Sequence, residues 1–338
     1  MTTTDKIRWG ILGPGHIARR MADALRRVSD AEILAVGSRE LSRAQQFAAE
    51  FGVARAYGSY HDLLADGDVD IVYVATPHPF HAADTVLALE AGKAVLCEKP
   101  LAVNAAEAAE VIDLAKSKRV FLAEAMWTRW LPSIEKLREL LAAEAVGEVQ
   151  LVQADFSFQG SGDPTGRLLN PDLAGGALLD VGCYCMSLAS MILGQPEHVE
   201  AQARIGPTGV DEQTAILLKN AHRQMAVLTC AVRSVGPQEA FIIGRRGLIK
   251  LESAWWRGGR VVLRPAGGAE QVFDIPQEEN GFVYEVREAH RCLRAGETQT
   301  PALPLDESLG IMETMDRVRQ QIGLTYPFEK QPLKVPIR

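Results

Sequence analysis

The 338-residue sequence predicts an α/β unit on a doubly wound parallel sheet, followed by an α+β unit with a large, mostly antiparallel open sheet. Three observations predict this. The chain is longer than one hydrophobic core usually serves. Short apolar runs alternate with segments of helical period through the first third of the chain. Beyond residue 195, strand signals follow one another with little helix between them. We place the boundary so that residues 1–125 form the first domain and residues 126–338 the second.

Residues 7–12 are a short apolar run, read as a strand. Apolar residues at Ile17, Met21, Ala24, Leu25 and Val28 carry a helix over 17–27. A second strand is expected at 32–37, then a helix at 42–51 with Ser42 as its N-cap. A short strand at 56–57 and a helical turn at 60–64 precede the fully apolar strand 71–75. A helix over 80–91 ends at Gly92. Strand 94–97, helix 105–117 and strand 120–123 complete the repeated βα pattern, which implies a parallel sheet covered on both faces. After Trp130 the pattern changes: helix 133–141, strand 149–158 and a long apolar helix 176–193. Strands are expected at 199–205, 214–219, 224–232, 239–243, 247–251 and 260–264, with closing helices at 282–294 and 305–322.

Apolar residues make up 47% and charged residues 23%, the balance of an ordinary globular chain. The formal charge of −7 argues against nucleic acid as the main partner. The five cysteines show no metal-site pairing, and the seven histidines form no ligand constellation, so no metal is expected. The start of the chain has no basic leader followed by an apolar core. No apolar stretch approaches the ~20 residues of a membrane span. The expectation is a cytoplasmic protein with reduced thiols and no membrane partner.

Gly13-Pro14-Gly15-His16-Ile17-Ala18 matches G-x-G-x-x-A between a strand and a helix. Gly13 makes the tight turn, Gly15 lets the backbone approach a pyrophosphate, and Ala18 packs close to the strand. The helix N-terminus presents N–H groups and the positive end of its dipole. This turn predicts a Rossmann dinucleotide site, with His16 and Ile17 among its contacts. At the end of the second strand stand Ser38 and Arg39, with Arg43 four residues on. A hydroxyl and two guanidiniums suit a 2′-phosphate, so NADP is favoured. Glu40 leaves NAD open, since its carboxylate could bond a ribose 2′-OH.

Further along come Ala75-Thr76-Pro77-His78-Pro79-Phe80-His81, Cys97-Glu98-Lys99-Pro100 and Glu124-Ala125-Met126-Trp127-Thr128-Arg129-Trp130. They are followed by Gly175-Gly176-Ala177-Leu178-Leu179-Asp180-Val181-Gly182-Cys183-Tyr184-Cys185 and Tyr284-Glu285. With the glycine turn, these resemble the Gfo/Idh/MocA oxidoreductases over almost the whole chain. The nearest branch is that of dimeric dihydrodiol dehydrogenase and NADP-dependent D-xylose dehydrogenase. The resemblance implies catalytic roles for Lys99 and Tyr184, with Asp180 as acidic partner, and 2′-phosphate contacts from Arg39 and Arg43. It implies further cofactor contacts from Thr76, Pro77, His78, His81, Glu98, Trp127 and Arg129. His78 departs from the asparagine common at that place elsewhere in the family. The branch also implies an aromatic substrate wall from Trp127, Phe156, Trp255, Trp256 and Phe282, against a reading of these as ordinary core. A homodimer through the open sheet is expected, with a sugar such as D-xylose or a trans-dihydrodiol as substrate.

The chemistry follows from the residue types. Lys99 stands just past a parallel strand, where ligands bind, and Pro100 pushes it towards an extended turn, with a cis bond as one option. Asp180 and Tyr184 are four apart, so a regular helix would put them on one face. A free phenol has a pKa of ~10, and a nearby ammonium lowers it. In this reading Tyr184 takes the proton of a substrate hydroxyl as hydride leaves its carbon, Lys99 stabilises the alkoxide, and Asp180 orients the substrate or Lys99. In the alternative assignment Lys99 is the proton donor and Tyr184 an anchor. A second reading, from another class, is a dinucleotide-binding sensor or regulatory protein that does not turn over.

Overall fold

The computed structural model describes residues 6–330. The chain divides into two compact units. The first holds the chain up to Trp127 together with Glu278–Ser308, and the second holds Thr128–Gln277 with Leu309–Lys330. A single cut at 125/126 therefore misassigns the segment Glu278–Ser308, which returns to the first unit. The parts of the expected ranges at 1–5 and 331–338 lie outside the described residues.

The first unit has six strands, β1 (Ile7–Leu12), β2 (Ala31–Gly37), β3 (Arg55–Tyr57), β4 (Ile71–Val74), β5 (Ala94–Glu98) and β6 (Leu122–Ala125). They form one sheet in the order β3-β2-β1-β4-β5-β6, parallel throughout. Five helices connect them: α1 (His16–Arg27), α2 (Leu41–Phe51), α3 (Tyr60–Leu64), α4 (His81–Glu90) and α5 (Ala105–Lys118). The order reverses at β1, which has β2 on one side and β4 on the other, so a crevice opens at the carboxyl ends of those strands. Helix α1 forms because Ala18, Met21, Ala22, Ala24 and Leu25 repeat at helical spacing and are all buried. Each such large side chain contributes about 1.5–3 kcal/mol on burial.

Two expected boundaries move for local reasons. Ser42 does not cap α2: the N-cap is Glu40, whose N–H bonds the Ser38 hydroxyl oxygen at 3.2 Å. Strand β6 starts two residues after the expected position. Arg119 adopts the left-handed conformation and Val120 N–H closes back on Ala115 O at 3.1 Å, so those residues belong to the end of α5.

The second unit carries α6 (Pro132–Ala142), β7 (Val149–Ser157), α7 (Cys183–Leu193) and β8 (His198–Ile205). There follow β9 (Asp211–Lys219), β10 (Met225–Ala231), β11 (Ala240–Gly244), β12 (Gly247–Leu251), β13 (Arg260–Pro265) and β14 (Gln271–Asp274). The eight-stranded sheet runs β14-β13-β12-β11-β7-β10-β9-β8. Only the β7–β10 pair is parallel; the other pairs are antiparallel. The short edge strand β14 has no counterpart among the expected elements. Alternation gives the sheet a buried face, with Val152, Ala154, Ile216, Leu228 and Ile242, against which α7 packs. The opposite face leaves Met225 and Val227 37% and 39% exposed.

The expected helix 176–193 is not uniform. Leu178–Gly182 is a π-helical turn, and α7 proper begins at Cys183. By length and composition the stretch Pro171–Leu193 also passes for a membrane span, against the expectation that none would. Its window is 78% buried inside the protein, which accounts for its apolar character. None of the five cysteines forms a disulfide, and all are buried.

Helix α8 (Phe282–Ala295) explains the return to the first unit, and α9 (Leu305–Ile322) begins in that unit and ends in the second. Helix α8 packs on α1, and Asn280 just before it bonds Arg20 O and Asp23 at 2.8 and 2.9 Å. Trp9 Nε1–H donates to His290 Nε2 at 3.0 Å, and His290 Nδ1 meets Asp30 at 3.1 Å. Burial holds the imidazole below its ordinary pKa, so the neutral ring donates from Nδ1 and accepts at Nε2. Replacing it leaves a fully buried indole N–H without its acceptor. The His290→Ala variant is expected to lose about 1–3 kcal/mol of stability. Urea unfolding should show a lower midpoint at unchanged slope, and an unshifted midpoint would remove the bond from the account.

Candidate active site

In the first unit the expected residues gather at the carboxyl edge of the parallel sheet. Gly13 follows β1 with φ +84. A Cβ there would lie 3.1 Å from Thr76 Cγ2 and 3.2 Å from Ala75 O. Gly15, the N-cap of α1, has ordinary extended geometry, and a Cβ on it would meet nothing within 4 Å. Its need for glycine therefore comes from what the space receives. No side chain caps α1 and no acid stands in its first turn, which leaves its N–H groups and the positive end of its dipole open to an anion. Ala18 is fully buried, as close packing requires. Arg19 is committed elsewhere: it bonds Pro14 O at 3.2 Å and pairs with Glu50 at 2.9 Å.

After β2, Arg39 lies over the Phe80 ring at 5.6 Å. Arg39 and Arg43 are exposed, and neither has a carboxylate in ion-pair range among the described residues. Both act on Tyr60, whose phenol burial pushes up to about 12. Beneath them burial pushes the Asp84 carboxyl up to about 6, with Thr76 and Arg39 pulling the other way. Glu40 is exposed at the helix entrance.

After β4 come Thr76, Pro77 and a short turn His78–Phe80. His81, an expected cofactor contact, is buried. Its Nδ1 faces Pro100 O and its Nε2 faces Thr76 O, both at 2.7 Å. Two carbonyls would welcome an imidazolium, but burial lowers the pKa to about 4, so the ring is neutral and donates to one at a time. The described bonds of His81 thus tie backbone to backbone. The Lys99–Pro100 bond is cis. Glu98 is buried, accepts from Tyr73 OH, and receives the Lys99 N–H at 3.1 Å. Trp127 and Phe282 pack at 5.3 Å, and the Arg20 guanidinium lies 4.9 Å over Phe282.

The second unit carries the other expected group. Asp180 sits in the π-turn and Tyr184 in the first turn of α7, both buried. Asp180 Oδ1 accepts from Arg167 Nη1 at 2.7 Å, an ion pair the sequence pattern did not signal. Tyr184 packs on Phe156 at 5.2 Å, and Phe156 stacks on Trp256 at 3.4 Å. Trp255 is turned into the core, with its Nε1–H on Asp155 O at 2.9 Å, so Trp256 rather than Trp255 continues the aromatic wall. Arg129, an expected cofactor contact, is buried and grips Ser187 Oγ at 2.7 Å and Ser187 O at 2.8 Å. Asp211, missed in the sequence, receives Leu178 N–H at 2.8 Å and Thr214 OH at 2.7 Å, and so holds the start of the π-turn. Its signal was weak because an acid at the head of a strand reads as a turn residue. Tyr73 was hidden in an apolar strand. A constellation of metal-binding side chains is absent among the described residues.

Comparison with known proteins agrees with both halves. Residues 7–126 match the family described as an oxidoreductase family with an NAD-binding Rossmann fold. Residues 134–250 match the GFO/IDH/MocA C-terminal domain. The chain is 38% identical to a trans-1,2-dihydrobenzene-1,2-diol dehydrogenase of Mus musculus, covering 96% of this chain and 99% of the relative. The Homo sapiens protein of that name is 36% identical with the same coverage. Among solved structures, a 3-ketoreductase from Actinomadura kijaniata in complex with NADP and TDP-benzene superposes with TM-score 0.84 at 27% identity. The match covers 94% of this chain and 98% of that one. An aldose-aldose oxidoreductase from Caulobacter crescentus gives TM-score 0.85 at 26% identity, covering 94% and 97%.

The two glycines of the turn should fail differently. Gly13→Ala forces a Cβ into a left-handed position and is expected to destabilise the fold by about 1 kcal/mol or more. Gly15→Val is expected to keep the melting temperature and lose at least about tenfold in dinucleotide affinity. Thermal melts beside titration of nicotinamide-dinucleotide fluorescence check both, and normal affinity in Gly15→Val would contradict the assignment.

Proposed function

The chain belongs to the Gfo/Idh/MocA oxidoreductase family, and on that premise we propose that it moves a hydride between a nicotinamide ring and a secondary alcohol or carbonyl carbon. The substrate is a sugar such as an aldose, or a trans-dihydrodiol, and the cofactor is NADP. The observation that carries the reading is the common edge of the parallel sheet, where the open glycine turn after β1 and the Glu98–Lys99 turn after β5 both stand. Support for the substrate class comes from the relatives named as dihydrobenzenediol dehydrogenases and the structural neighbour named as an aldose-aldose oxidoreductase.

The residues fit a dinucleotide. The space over Gly15 and the uncapped α1 suit its pyrophosphate. Arg39, supported on Phe80, and Arg43 suit a 2′-phosphate. NADP bound in the Actinomadura enzyme agrees with that preference. Glu40 caps the α2 backbone by position and leaves the two guanidiniums as the main charges of this corner.

When bound, the nicotinamide supplies the hydride acceptor or donor. The chain's own residues move the proton. Tyr184 accepts the hydroxyl proton in oxidation and returns it in reduction. Lys99 offers an ammonium to the developing alkoxide and lowers the cost of the phenolate. Asp180, held by Arg167, orients these groups. Phe156 and Trp256 present flat apolar faces, which suit a diol ring or the apolar face of a pyranose. The outer face of the eight-stranded sheet, with Met225 and Val227, is read as the surface of a homodimer.

An absorbance assay of reduced nicotinamide, run with a panel of aldoses and trans-dihydrodiols, tests the reading. Turnover is expected with NADP. Tyr184→Phe and Lys99→Met should each lower kcat by about 100-fold or more, and Arg39→Ala should raise KM for NADP by about tenfold while leaving that for NAD nearly unchanged. Cofactor binding with no turnover on any substrate would favour a sensor instead, and near-normal Tyr184→Phe would hand the proton to Lys99. For assembly, sedimentation at micromolar concentration is expected to give a dimer, and substituting Val227 with Glu should shift it towards monomer. A wild-type monomer would reject the sheet face as an interface.

A further inference from the structure

Glu285 on α8 has no part in the roles above. It is 1% exposed, and neither carboxyl oxygen has a hydrogen-bond partner among the described residues. It faces Glu98 at the end of β5, whose carboxylate accepts from Tyr73 OH and from the Lys99 N–H. Arg20 of α1, Tyr73 of β4 and, behind Tyr73, Cys97 of β5 also face this cluster, Glu124 of β6 acts on Cys97 together with Glu98, and Lys99 adjoins Glu98 in the chain. On α8 itself, Glu288 is engaged by Arg291 and Thr300. The Arg20 guanidinium, already laid over Phe282, is the cation that acts on Glu285.

A carboxylate in a dry site with no donors is strongly disfavoured, and a second carboxylate nearby disfavours it further. Two such groups titrate as a unit. We propose that Glu285 is held as the neutral acid beside Glu98 and is a positioning residue, whose retained proton keeps one negative charge rather than two behind the Glu98–Lys99 turn. Burial pushes Glu285 well above the usual carboxylate range, with Glu98 adding to the shift and Arg20 opposing it. With one charge in the pair, Glu98 keeps the Tyr73 O–H and Lys99 N–H donors. When the second proton leaves, repulsion drives Glu98 from that geometry and loosens the backbone N–H that carries Lys99. The consequence is a fall in turnover on the alkaline side. This effect on turnover rests on the hydride-transfer reading; the protonation state does not.

The infrared spectrum of the full chain tests the protonation state directly. At pH 8 the buried Asp84 and Asp211, each near 6, are mostly ionised. A protonated-carboxyl carbonyl band is expected to remain there, and to disappear in Glu285→Gln. Its absence from the wild-type protein overturns the proposal whether or not any substrate is known. In the kinetic arm, Glu285→Gln should move the alkaline fall of kcat upward by about one pH unit or more, so that the ratio of alkaline to neutral kcat rises about tenfold. A plain packing role would lower kcat equally at every pH and leave that ratio unchanged, which would overturn the positioning role.

Discussion

His81 stands between two turns that follow neighbouring parallel strands, with one ring nitrogen facing Thr76 O and the other Pro100 O, and donates to one of them at a time. Sheet pairing fixes β4 against β5, but it does not fix the loops beyond the strand ends. The imidazole does, from the first residue of α4. Its burial keeps it neutral down to about pH 4, so the tie holds unchanged across physiological pH. Glu124 makes a second tie from β6, receiving Leu101 N–H at 3.2 Å and Ser308 OH at 2.7 Å. The Lys99 turn is thus held on both sides, by His81 and by Glu124.

The second unit solves a similar problem with a buried acid. Asp211 lies beside Gly176, where a Cβ would come within 2.2 Å of its Oδ1. The contact requires glycine, and Gly176 also has φ +121. From there the Leu178 N–H is held, and the chain enters a π-turn before α7. The wider turn breaks the simple i, i+4 relation between Asp180 and Tyr184. Asp180 turns to Arg167, while the Tyr184 ring turns to Phe156.

The parallel sheet was legible because its strands are continuous apolar runs separated by helical periods. The glycine turn was legible because Gly13 and Gly15 are spaced for one geometry. What escaped had long-range causes. The return of α8 to the first unit depends on Trp9 and His290, 281 residues apart, and no local period records that contact. The roles of Arg129 and His81 escaped for a related reason. A motif gives the residue but not its partners, and their partners are Ser187 on α7 and the carbonyls of Thr76 and Pro100. The choice of Trp256 over Trp255 turns on which side of a short turn faces Phe156, and adjacent residues in a sequence cannot be told apart in that way.

The helices of the first unit supply an internal comparison for the phosphate turn. Helix α5 opens with Asn104, whose side chain takes Glu107 N–H at 2.9 Å, and Glu107 stands in the first turn. Helix α3 opens with Ser59, which takes Asp62 N–H at 3.1 Å, again with an acid in the first turn. Each satisfies its own orphan donors and its own dipole. Helix α1 does neither: its N-cap is a glycine without a side chain, and its first turn has no acid. A helix end left so, after a glycine whose Cβ position is open, in a chain of net charge −7 that has acids to spare, is open to an anion from outside the chain. The two exposed arginines after β2 add positive charge at the same edge of the sheet, and the charge of the protein as a whole gave no hint of it.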